Sequence, residues 1–161
     1  MGRRSASRSL VVALLALLAP VWAQETKYTY FVSRSVTGQT NRITIRQPTA
    51  GGRDLKLDGV YFCCSVACSP VISKGGSVSG GTAGTIVNLD DRSPSATSSA
   101  TLDGTVTGAT SISFPTISAG ADRTHGGGLY LHWTGTPSQF TVELTSGSSG
   151  TLYILLNFSE P

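Results

Sequence analysis

The spacing of apolar residues constrains this chain most: short runs in which every second residue is β-branched, aromatic or leucine, each broken by Gly, Ser, Thr, Pro or Asn. Phe140, Val142 and Leu144 alternate with Thr141, Glu143 and Thr145, and Leu152, Ile154, Leu156 and Phe158 alternate in the same way further on. Strand side chains point to opposite faces with period two, so each run buries one face and wets the other. After the N-terminus no stretch carries a helical period. The expected fold is all-β, a single antiparallel β-sandwich, jelly-roll-like, with about eight strands.

Those strands are expected at Tyr28–Val32, Asn41–Arg46, Leu55–Val66, Thr85–Leu89, Thr110–Phe114, Leu129–Trp133, Phe140–Thr145 and Leu152–Phe158. The last two, joined through Ser146–Gly150, are expected to form a hairpin. In the third, the apolar parity passes from Leu55 and Leu57 to Val60 and Phe62 across Gly59, which predicts a bulge or corner there. Residues 73–84 and 92–101 are almost entirely Ser, Gly, Thr, Ala and Pro and are expected to be loops.

The N-terminus has a different character. Arg3, Arg4 and Arg8 precede the apolar run Leu10–Leu18, which is shorter than the roughly 20 residues that a membrane-spanning helix needs. Pro20 and the small residues at Val21 and Ala23 complete the pattern of a secretory signal peptide over residues 1–23, cut after Ala23. The β-domain is then residues 24–161, secreted, extracellular or periplasmic, with no stable membrane insertion once the signal is gone.

Removing the signal removes three of the chain's twelve Lys and Arg and none of its nine Asp and Glu, which leaves nine of each sign. The basic character of the whole chain therefore belongs to the signal, and no nucleic-acid partner is expected. Residues 24–74 carry seven basic and three acidic side chains, and residues 75–161 carry two and six. That asymmetry suits scattered surface charge or head-to-tail self-association.

Cys63, Cys64 and Cys68 lie close together in what would be an oxidising compartment. Cys63 and Cys64 project to opposite faces of a strand, which disfavours a bond between them. Cys68 then pairs with Cys63 or with Cys64, and one thiol is left over.

Catalytic chemistry has little to work with. His125-Gly126-Gly127-Gly128 has the look of an oxyanion loop, yet no G-x-S-x-G elbow accompanies it, and a turn before the next strand explains it better. Asp122, His125 and His132 lack the short ligand spacing of a zinc site, and Asn88, Asp90 and Asp91 lack the regular spacing of a calcium loop. Glu143 stands at an outward strand position rather than opposite a second acid. No catalytic residue, cofactor or metal ligand is assigned.

The expectation is a non-enzymatic surface protein. In one form it is a self-assembling structural subunit, with Gln24–Pro48 as a donated strand. In another it is a monomeric or trimeric module that binds a glycan or protein through Tyr130, His132 and the two Ser/Thr/Gly segments. A small secreted hydrolase is the remaining alternative.

Overall fold

The computed structural model describes residues 28–89 and 94–161. The expected signal peptide and the acids Asp90 and Asp91 lie outside the described residues. The strands are β1 (Tyr28–Arg46), β2 (Leu55–Cys64), β3 (Cys68–Ser79), β4 (Thr82–Gly84), β5 (Val87–Asn88), β6 (Ser99–Leu102), β7 (Thr105–Ser113), β8 (Asp122–Gly126), β9 (Tyr130–Leu131) and β10 (Gln139–Glu160). All ten belong to one antiparallel sheet curled into a half-barrel. The all-β expectation holds, and every described strand pairing is antiparallel.

Two long strands form the spine. β1 pairs with β10 from Tyr28↔Glu160 to Arg46↔Gln139, so Tyr28–Arg46 of the segment that was a candidate for donation to another chain, Gln24–Pro48, is paired within its own sheet. The expected hairpin at Ser146–Gly150 does not form. Both of its arms run in one direction as parts of β10, and the intervening residues bulge outward. Two steps along β1, from Gly38 to Thr40, match five along β10, from Gly150 to Thr145. A Gly/Ser cluster interrupts a ladder as readily as it reverses it, and here both flanks had the same partner strand.

On its other side β10 meets β2 through Leu152–Ser159 and β3 through Phe140–Ser146. β2 and β3 are therefore successive lengths of one path, broken at Ser65–Ala67 level with the bulge in β10. The break is stapled by a Cys64–Cys68 disulfide with a Cα–Cα distance of 6.3 Å, inside the ordinary range for such bonds. The third side of the break is Asn41, fully buried, whose Nδ2 donates to the carbonyls of Arg34 and Leu152 at 2.9 Å each. Across the bend, the inward face of β1 passes from even positions (Tyr30, Val32) to odd ones (Ile43, Ile45).

The bulge expected at Gly59 is present: Asn157 pairs with Gly59 and Phe158 with Leu57, leaving Asp58 over. It keeps Leu55 and Leu57 inward together with Val60, Phe62 and Cys64.

The expected loops are where sequence and fold part most. Residues 73–79 and 82–84 lie in β3 and β4, and residues 99–101 lie in β6. From Val71↔Ser113 to Gly84↔Ala100 one unbroken register joins β3–β4 to β7–β6 as a two-stranded ribbon. Its β3 end lies beside β10 and its β6 end beside β1, so the ribbon wraps the sheet into its curl. The crossing is crowded: a Cβ on Gly81, at φ 81°, would stand 2.5 Å from the carbonyl oxygen of Leu102. Asp103 pins the crossing to β1 by accepting from the Arg42 N–H (3.1 Å) and pairing with the Arg34 guanidinium (2.8 Å).

Candidate functional site

The curl leaves one side open. β7 pairs only with β3 among the described residues, and β8 only with β2, so these two edges flank a cleft of about 560 Å³. Alternation along the ribbon decides what faces it. Ile72, Lys74, Thr110, Ile112 and Phe114 line one wall, and Leu57, His125 and Leu129 line the other. On the ribbon's opposite face, hydroxyls pair across the strands: Ser73 with Ser111 at 2.8 Å and Ser77 with Thr107 at 3.1 Å. The His125 ring lies 4.5 Å from that of Phe114, centroid to centroid, and joins the two walls.

The glycines after His125 form the floor of the second wall. Gly127 N–H donates to Asp58 O at 2.8 Å and Gly128 N–H to Leu57 O at 3.2 Å, at the bulge in β2. A Cβ on Gly127 would stand 1.9 Å from Leu57 O, so the close approach requires glycine. The amide donors that an oxyanion loop would aim at a substrate are already bonded to the chain's own carbonyls.

Tyr130 and His132 are brought together by a residue with no local sequence signal, Asp54. Its Oδ2 accepts from the Tyr130 hydroxyl and from His132 Nδ1–H (2.9 Å), a contact open to both the neutral and the protonated ring, and its Oδ1 accepts from Trp133 N–H (2.7 Å). Burial pushes the Asp54 carboxyl up, but the Trp133, Tyr130 and His132 hydrogen bonds and the His132 charge outweigh it and hold the group below the usual carboxylate range. The Trp133 ring covers Gly52, where a Cβ would stand 2.5 Å from the ring. Beside it, buried Gln47 accepts from Ser138 N–H and donates to the carbonyls of Arg53 and Leu131. The cluster clasps two loops at one end of the half-barrel, with His132 72% exposed on the outside.

The remaining candidates are dispersed. His125 stacks in the cleft while His132 sits on the Asp54 clasp, and among the described residues no group of three His, Cys, Asp or Glu stands ready for a metal. The Asn88 side-chain amide donates to Pro94 O. Glu143 is ion-paired with Arg42 across the spine. Cys63, the leftover cysteine, is half-buried on β2 opposite Asp122 and Tyr153. No helix among the described residues is long and apolar enough to cross a membrane.

The cleft itself was not foreseen. Its signal was the pair Ile112 and Phe114 at alternate positions of an expected strand, but the neighbouring strand of the same wall runs through Ser73, Lys74 and Gly75, where the composition suggested a loop. No family model, no curated protein and no solved structure matches this chain.

Proposed function

We propose that this chain is an exported, non-enzymatic binding module, cut after Ala23, that takes its ligand in the cleft between β7 and β8. The observation that carries this reading is the cleft: about 560 Å³ of open space walled by Leu57, Ile72, Ile112, Phe114 and Leu129. Small-molecule sites span roughly 300–1,000 Å³ and have mostly apolar walls with a few polar groups. In this reading the half-barrel is a sandwich-like, jelly-roll-related frame left open along one side to admit the ligand. The Tyr130 and His132 surface stays outside the reading because Asp54 already engages polar atoms of both.

The test is titration with anilinonaphthalene sulfonate at neutral pH, with near-UV circular dichroism recorded alongside. One site per chain with an unchanged near-UV spectrum is expected, and the double substitution Ile112→Asp/Leu129→Asp should abolish it. Undiminished binding by that variant, at intact fold, would sink the reading.

One observation favours a second reading, self-association. Phe114 N–H bonds to Pro70 O, so the alternation of an antiparallel ladder turns the N–H and C=O groups of Ala109, Ser111 and Ser113 away from β3. β7 carries no charge and no proline, whereas the β8 edge carries Asp122, Arg123 and His125. An uncharged open edge is a template for another strand. Light scattering across concentrations, with and without reductant, is the check: growth that Ser111→Pro abolishes supports pairing at β7, reductant sensitivity assigns a link to Cys63, and a constant monomer removes the reading.

A further inference from the structure

The charges around the cleft are one-sided. Of its lining residues only Lys74 carries a fixed charge, and none is acidic. The Lys74 ammonium forms no ion pair or hydrogen bond among the described residues, whereas the Arg34, Arg42 and Lys56 side chains each have a carboxylate partner. Its register neighbours are Phe140 on one side and Thr110 on the other, neither able to neutralise it. An even position on β3 puts it on the same face as Ile72, so the ammonium rises at the edge of an apolar wall. His125 adds an imidazole on the facing wall, held by Phe114 and without a hydrogen-bond partner of its own among the described residues.

We propose that the cleft binds a single-chain amphipathic carboxylate, its hydrocarbon body against Ile72, Ile112, Phe114 and Leu129 and its anionic head at Lys74. This rests on the cleft being a binding site and adds the ligand's class. An apolar body matches the walls, and a single anionic head matches the one fixed cation among the lining residues. Partial removal of both from water strengthens that contact relative to a fully exposed ion pair. A cationic or headless chain of equal length gains the apolar contact alone.

Isothermal titration calorimetry on the signal-less chain uses three probes: dodecanoate below its micellar concentration, dodecyltrimethylammonium with the same chain and opposite charge, and butyrate with the head but little chain. Dodecanoate is expected to bind at one per chain, at least about tenfold tighter than dodecyltrimethylammonium, with no measurable butyrate binding. Lys74→Met should weaken dodecanoate by about tenfold, and Lys74→Arg should restore most of it. Because Lys74 is exposed, both variants are expected to fold as the parent does. Equal binding of the two dodecyl probes, or Lys74→Met without effect on dodecanoate, overturns the assignment of the head while the cleft remains a binding site. Failure of both dodecyl probes to bind overturns the cleft as well.

Discussion

The spine of the sheet and its ribbon use the same backbone geometry and hold it by opposite means. Along β10 the inward Phe140, Val142, Leu144, Leu152, Ile154, Leu156 and Phe158 are all fully buried. Along β7 nearly every residue is exposed, Ile112 at 63%, and side-chain cohesion comes from hydroxyl pairs such as Ser73 with Ser111. Apolar burial contributes about 25 cal/mol per Å² removed from water, while a hydroxyl pair at the surface contributes about 1 kcal/mol or less. The stable part of the fold and its open cleft are therefore adjacent but energetically unequal, and local opening of the ribbon costs far less than opening of the spine.

The sharpest test of that inequality is truncation on each side. Phe140→Ala should cost about 3–5 kcal/mol in urea denaturation, through lost transfer energy plus a cavity. Ile112→Ala should change stability by less than about 0.5 kcal/mol. Comparable losses at the two sites would show that the ribbon is as well packed as the spine.

A smaller effect is expected at the bend. Replacing Cys64 and Cys68 together by Ser releases the short staple and should lower stability by about 2 kcal/mol on the chain-entropy model. Amide exchange in the same variant should quicken most around Ser65–Ser69 and leave the ladder from Ile154 to Phe158 protected; uniform quickening would mean that the staple supports the whole spine.

Within the ribbon, a double-mutant cycle on Ser73→Ala and Ser111→Ala should give a coupling of about 0.5–1 kcal/mol, read by thermal or urea unfolding. A coupling near zero would leave the ribbon held by its backbone alone.

The smallest effect belongs to the clasp at Asp54. Its folded-state pKa is lowered, so its contribution is complete above the unfolded-state value and is lost as pH falls through the folded one. Asp54→Asn should therefore be slightly less stable than the parent at neutral pH, and the gap should close as the solution is acidified into and below the carboxylate range. A gap that is constant with pH would mean that the carboxylate's charge plays no part in the clasp.

The same division explains what could be recognised in the chain beforehand. Phe140, Val142 and Leu144, the set from Leu152 to Phe158, and the parity change at Gly59 were legible because one side of those strands is fully buried and apolar while the other alternates with it in polar or half-buried side chains. The expected choice for Cys68 between Cys63 and Cys64 falls to Cys64, which points inward as Cys68 does, while Cys63 faces the other way. β4, β6 and the outer lengths of β3 and β7 were not legible. A ribbon with little burial on either face places no demand for alternating apolar residues, so Ser, Thr and Gly serve as well there as in a loop. The clasp was half legible: Tyr130 and His132 stood out, but Asp54 reaches them across more than seventy residues and nothing beside it in the chain marks that contact.

The pairing of β1 with β10 has a consequence in time. Among the described strands the first in the chain lies against the last, from Tyr28↔Glu160 onward. Until β10 is made, the other partners that β1 has are the two-residue β5 and the four-residue β6. Contacts so distant along the chain make for slow closure, and a polypeptide synthesised from its N-terminus cannot complete this sheet until its final strand has emerged. The inward faces of β1, β2 and β3 therefore meet their shared neighbour last, and the ladders that can form earlier are the ones that leave most of the core apolar residues uncovered.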